Sequence, residues 1–227
     1  QLDAVLEAVY GAYGLGRDEA AGADARGRDL MDEAIWLARV VRARMPEEPE
    51  VRGLLSLMLF CDARRDARGS ADGPYVPLSE QDPATWSAAK IREAEAELTE
   101  AARAGRVGRF QLEAAIQSVH ADRARTGRTD WAAVTVFYEQ LVRLAPTLGA
   151  RVAQAAAVAE ASGPSTGLAL LDALDEPAAA TYQPYWAVRA HLLRLLEREP
   201  EASAAYERAI GLTEDPAVRR FLLDRRG

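Results

Sequence analysis

Large apolar side chains recur in this sequence at the spacing of one helix pair. Tyr138, Leu171 and Tyr206 stand 33 and 35 residues apart, each inside an Ala- and Leu-rich segment with helical patterning. The three segments are Trp131–Pro146, Gly167–Leu174 and Glu201–Leu212, and the middle one is the most degenerate. A period of about 34 residues in helical sequence is the signature of the tetratricopeptide repeat (TPR). The constraint is physical: one helix pair cannot cover its own apolar face, so successive pairs stack and share a core. Each segment has a helical partner before it, at Arg109–Arg125, Thr147–Ala161 and Thr181–Glu197, and Ala115, Ala156 and Ala190 are small enough for close approach. Pro216–Arg226 reads as a capping helix, with Val218, Phe221 and Leu222 inward and Arg219, Arg220, Arg225 and Arg226 in water.

The expected fold is therefore all-α: a TPR-like right-handed solenoid over 106–227, continuous with a helical lead-in over 1–105. In the lead-in, Leu2, Val5, Leu6, Val9 and Tyr13 keep helical spacing. The run Gly11-Ala-Tyr-Gly14-Leu-Gly16 superficially resembles a phosphate loop, but it lacks a preceding strand and a helix directly after it. A linker to Gly27 is expected there. A second helix over Arg28–Met45 carries a stripe of Leu30, Ala34, Leu37, Ala38 and Val41, widened by Ile35 and Trp36. Pro49 opens a third helix, rich in Leu, that runs to about Arg68. The loop 69–82 holds Gly69, Gly73, Pro74 and Pro77, and is expected to be ordered. Asp82-Pro83 then reads as a cap for a fourth helix that carries Trp86 and runs to Ala104.

The chain has 35 acidic and 28 basic residues in 227, a net charge of −7. That balance argues against non-specific nucleic-acid binding. No apolar run reaches the roughly 18 residues of a membrane span. The one cysteine, Cys61, cannot form an intramolecular disulfide and is expected as a buried structural thiol in a reducing compartment. His120 and His191, the two histidines, have no second His or Cys at metal-ligand spacing. His120 follows Ile116 and Val119 and reads as a hydrogen-bonded core histidine. No catalytic, metal or cofactor residue is assigned, and the chain is expected not to be an enzyme; an enzyme site assembled in the repeat groove would need His120 or His191 beside a carboxylate or metal. Glu93, Glu95, Glu97 and Glu100 read as a solvated helix face.

Two sets of candidate contacts stand out. Arg64, Arg65 and Arg68 lie across the loop from Glu80, Gln81, Asp82 and Trp86. They are expected to pair there and lock the seam before the repeats, or else to meet an acidic partner segment. On the groove lined by the first helix of each pair, the candidates are Gln111, Gln117, Arg151, Gln154, Tyr185 and Arg189.

Several runs resemble a known family. They are Glu48-Pro-Glu-Val-Arg-Gly-Leu-Leu-Ser-Leu-Met-Leu59, Ala63-Arg-Arg65, Pro77-Leu-Ser-Glu-Gln-Asp82 with Trp86, Phe110-Gln-Leu-Glu-Ala-Ala-Ile-Gln-Ser-Val-His120, Thr129-Asp-Trp131 and Gly163-Pro-Ser-Thr-Gly-Leu-Ala-Leu-Leu-Asp-Ala-Leu174. In this order they resemble the C-terminal, TPR-containing extension of bacterial extracytoplasmic-function (ECF) sigma factors. The family often has Asn-Glu-Gly-Tyr after its first helix, where this chain reads YGAYGLG over Tyr10–Gly16. The resemblance implies a preceding half with the sigma regions that bind polymerase and promoter. It also implies that this extension tunes transcription through protein contacts: with its own sigma regions, RNA polymerase core or a regulatory protein, in the cytoplasm, with no DNA contact of its own and no membrane. The alternative is a stand-alone TPR peptide-binding scaffold unconnected to transcription.

Overall fold

In a computed structural model, residues 2–20, 25–68, 74–174 and 177–227 are described, and among them the chain is helical with no β-strand. It divides into two compact units, Gln1–Thr129 and Asp130–Gly227.

The first unit contains α1 (Leu2–Ala20), α2 (Ala25–Arg44), α3 (Pro49–Asp62), α4 (Ala88–Arg103), α5 (Arg109–Ala121) and the single turn α6 (Arg123–Thr126). Helix α3 is the axis of this unit. Leu54, Leu55, Leu57, Met58, Leu59 and Phe60 are all buried, so every side of the helix is covered. A helix that is apolar all round has to be a core helix; α4 and α5 pack directly on it, and α2 and α1 complete the layer. Small or self-satisfying residues set the approach distances. The Ser56 hydroxyl donates to the Ala94 carbonyl of α4 (2.8 Å), and Gly53 lets the first turn of α5 come close. The first turn of α5 has no cap of its own, because Gly108 occupies the N-cap. Glu50, in the first turn of α3, supplies it: its carboxylate accepts from the Phe110 N–H (2.9 Å), the Gln111 N–H (3.1 Å) and the Gln111 side-chain amide (3.1 Å). A carboxylate there meets both the orphan donors and the positive end of the helix dipole.

Several expectations need correction. Helix α1 does not stop at Gly11; it runs through Gly11 and Gly14, because packing on α2 outweighs the helix-breaking preference of two glycines. A methyl group at either glycine would meet nothing within 4 Å. Gly11→Ala and Gly14→Ala are therefore expected to stabilise the unit by about 0.5–1 kcal/mol each, measured by urea unfolding. On α2 the buried stripe is Met31, Ala34, Ile35 and Ala38, while Trp36, Leu37 and Val40 face outward. Residues 69–73 of the loop lie outside the described residues; from 74 on, the loop contains two 3₁₀ turns, Leu78–Glu80 and Pro83–Thr85. Trp86 is extended, and the Ser87 hydroxyl caps α4 by accepting from the Lys90 N–H (3.4 Å). Glu93 and Glu97 are not merely solvated: Glu93 takes Arg39 of α2, and Glu97 takes Arg42 of α2 and Arg52 of α3. Cys61 is half-buried rather than buried.

The second unit contains α7 (Trp131–Leu144), α8 (Leu148–Ser162), α9 (Pro164–Asp172), α10 (Gln183–Leu195), α11 (Glu199–Leu212) and α12 (Pro216–Arg226). Each helix packs on the next in the chain, and α8 also meets α10. Asp130, Thr147 and Asp215 cap α7, α8 and α12. Of the periodic positions, Leu171 and Tyr206 are buried and Tyr138 is half-buried. The core that Leu171 and Tyr206 join includes Val152, Ala155, Ala190 and Leu193. The two compact units meet in sequence at Thr129/Asp130, and α5 packs on α3 and α4 within the first.

Candidate functional site

Two arginines and a glutamine gather around Trp86 in the first unit. The indole is only 6% exposed. The guanidinium carbon of Arg123 lies 5.1 Å from its ring centroid and that of Arg64 lies 6.0 Å away. Arg64 follows α3 and donates through Nη2 to the Gln117 side-chain oxygen of α5 (2.6 Å). Arg123 stands on α6 and donates to two loop carbonyls, Ser79 (3.1 Å) and Gln81 (2.5 Å). The Gln81 amide in turn donates to the Val76 carbonyl (3.1 Å). Asp82 caps the 3₁₀ turn by accepting from the Ala84 N–H (2.9 Å). The loop carbonyls are thus held by Arg123, forty-two residues from Gln81, alongside the ring contacts that Arg64 and Arg68 make with Trp86 and Tyr75.

Of the three arginines that precede the loop, Arg65 turns to acids outside it. Arg65 donates to Asp62 (2.6 Å from Nε) and to Asp32 (2.6 Å). Arg68 sits over the Tyr75 ring at 5.7 Å, and its carbonyl accepts from the Val76 N–H (2.9 Å). Glu80 is exposed. Sequence reasoning missed Arg123 because nothing local marks it; the loop it anchors is distant along the chain.

His120 on α5 is buried beside this cluster. Burial, then the charges of Arg64 and Arg123, push its pKa down to about 4. The imidazole is therefore neutral at neutral pH. The unfolded chain takes up a proton near the ordinary value of about 6.5, whereas the folded chain does so only near 4. This contribution to stability is complete above the unfolded value and is lost as pH falls from about 6.5 to about 4, by about 3 kcal/mol in total. His120→Gln is expected to flatten that part of the stability–pH curve in urea titrations, leaving the carboxylate part intact.

The six groove candidates are divided between the units. Gln111 is buried and fastens the α5 N-terminus, with its amide also donating to the Arg106 carbonyl (2.8 Å), so it does not line an open groove. Gln117 is half-buried and engaged by Arg64. In the second unit, Arg151 and Gln154 are half-buried on α8. Tyr185 packs edge-on against Trp186 of α10 at 5.2 Å, and Arg189 pairs with Asp172 of α9. His191 is exposed on α10. Among the described residues no group of three or more His, Cys, Asp or Glu is placed to hold a metal, and no helix is long and apolar enough to cross a membrane.

Residues 1–102 match a family described as "Family of unknown function (DUF6596)". Uncharacterized protein R00370 of Rhizobium meliloti (strain 1021) is 36% identical over 222 residues, which cover 98% of this chain and 52% of that protein. The chain thus spans about half the length of the curated relative it matches.

Proposed function

We propose that this chain is a non-enzymatic, regulatory protein-interaction domain of an ECF-type sigma factor, and that it modulates transcription initiation by RNA polymerase. In this reading the second unit is a right-handed TPR-like array of α7–α11 with α12 as its cap. The helices pack in chain order, as stacked pairs require, and two of the three periodic positions are buried. The runs that carry the resemblance are also the residues on which the first unit depends: the all-round apolar α3, Gln81, Trp86, Phe110 and His120 are all buried. The greater length of the relative leaves room in it for the sigma regions that the resemblance implies.

The observation that carries the interaction role is the outer face of α2. Trp36 is 60% exposed, and Leu37 and Val40 lie beside it at helical spacing. An exposed apolar stripe of this kind marks a protein contact. The partner proposed for it is the sigma regions of the same polypeptide, or polymerase core, in the cytoplasm.

The test is a pull-down with the tagged chain as bait against purified sigma regions and core polymerase. Capture of the sigma regions, weakened at least tenfold by Trp36→Ser without a change in unfolding midpoint, is the expected result. Failure to capture either partner, with capture of unrelated peptides instead, would favour a stand-alone scaffold. The chain alone is expected to give no sequence-specific gel shift with promoter DNA.

A further inference from the structure

The outer face of α2 carries a seam that is complementary to itself. Leu30, Glu33, Leu37, Val40 and Arg44 follow one another at alternating steps of three and four residues, the 3.5-residue repeat of a helix-to-helix contact. Leu30 is half-buried and the other four are exposed. Trp36 and Ala43, one heptad apart and both exposed, run along its flank. The seam is thus acidic at Glu33, apolar at Leu37 and Val40, and basic at Arg44. Two other arginines of α2 are turned away from it, Arg39 to Glu93 and Arg42 to Glu97 of α4. Among the described residues neither Glu33 nor Arg44 enters a salt bridge, so both charges are available to a partner.

The order of these residues selects the occupant and its orientation. Two copies of α2 laid parallel would set Glu33 against Glu33 and Arg44 against Arg44, and like charges at facing positions repel. Laid antiparallel, with a two-fold axis midway between Leu37 and Val40, the seam matches along its whole length. Leu37 then faces Val40 of the second copy, and Glu33 faces its Arg44. The two-fold axis repeats each contact, as an isologous interface requires. On the flank the large Trp36 falls beside the small Ala43 of the second copy. We propose that two copies of this chain pair through α2 in this antiparallel register. From Glu33 to Arg44 the seam is only about 16 Å long, too short for the area of a permanent interface, so the pair is weak and reversible. The regulatory consequence rests on the reading of α2 as the surface for sigma regions. Pairing covers Trp36, Leu37 and Val40, so a paired chain is closed to that partner and separation of the pair opens it.

Sedimentation equilibrium of the whole chain alone, from about 10 µM to about 1 mM, tests this. The expected result is a monomer–dimer equilibrium with no larger species, because an isologous contact closes on itself. Glu33→Arg and Arg44→Glu are each expected to weaken pairing at least about tenfold, since the two-fold axis turns one substitution into two like-charge contacts. Both positions are exposed, so neither variant should move the urea midpoint. The double variant Glu33→Arg/Arg44→Glu should recover the pairing, and an equimolar mixture of the two single variants should pair as a heterodimer. Damage to the fold would produce neither recovery. A monomer across the whole range, single variants that pair like wild type, or a double variant that stays monomeric would overturn the assignment. The transcriptional reading is decided separately, by capture of purified sigma regions on the monomeric Glu33→Arg chain. Failure of that capture beside an intact wild-type dimer would count against the transcriptional reading and leave the pair standing.

Discussion

Gly53→Val is expected to destabilise the first unit by about 3 kcal/mol, although glycine inside a helix is ordinarily the weaker choice. At an open helical position the exchange of glycine for a residue with a side chain stabilises, as expected for Gly11 and Gly14. Gly53 is the opposite case. A Cβ there would lie 2.7 Å from the Gln111 backbone nitrogen, 2.8 Å from its Cγ and 3.0 Å from the Phe110 carbonyl carbon. Two of these atoms are backbone, so no rotamer change relieves the contact. Helix α5 would have to move off α3, and overpacking of this kind costs about 1–3 kcal/mol. The movement also draws the Phe110 and Gln111 N–H groups away from the Glu50 carboxylate; hydrogen bonds to a charged group contribute about 1.5–3 kcal/mol. Gly53→Ala should show the same sign with a smaller loss. Urea unfolding gives the magnitude, and hydrogen exchange at the first turn of α5 locates it. Wild-type stability and unchanged protection of Phe110 and Gln111 would mean that the α3–α5 approach is not the constraint described.

The sequence made some of this legible and concealed the rest for identifiable reasons. The central role of α3 could be read because an uninterrupted apolar run leaves no face for water. Leu171 and Tyr206 stood out as large apolar side chains in Ala- and Leu-rich helical segments, and both are buried. Local signals failed where tertiary packing outweighs them: the three glycines of α1 read as a break, yet α2 holds the helix through them. On α2, counting apolar residues placed Leu37 and Trp36 inside, whereas the 3.6-residue period through Met31, Ala34, Ile35 and Ala38 selects the neighbouring stripe. The loop set Gln81, Asp82 and Trp86 was recognised as a group together with Arg64, which lies over Trp86, but Arg123 was not seen. Charge pairs between distant segments follow from chain path rather than from pattern, and Arg123 sits on a four-residue turn with no periodicity to announce it. Asp62 was passed over for the same reason, as one more charge at the polar end of an apolar helix.

Asp62→Ala is expected to cost the first unit roughly 3–5 kcal/mol, the range for breaking one side of a buried charge cluster. Asp62 is the last residue of α3, and its side chain is 1% exposed. A carboxylate at the negative end of a helix dipole is unfavourable by itself, so it needs cations. Arg65 donates to Oδ1, and the Lys90 ammonium lies 2.5 Å from Oδ2. Asp32 also takes Arg65, so the guanidinium keeps one exposed partner when Asp62 is lost, and the loss falls mainly on the buried side of the cluster. The arrangement ties the end of α3 to α2 through Asp32 and to the start of α4 through Lys90. Asp62→Asn, which retains shape and one acceptor but no charge, should lie between wild type and Asp62→Ala. Lys90→Met should cost no more than about 1 kcal/mol, because the lysine side chain is 40% exposed and Asp62 retains Arg65. Since the carboxylate is shielded from solvent, the Asp62→Ala deficit should persist in urea unfolding at 1 M salt, where an exposed pair would have lost its contribution. A loss under about 1 kcal/mol, or one that disappears in salt, would reduce the cluster to an ordinary surface pair.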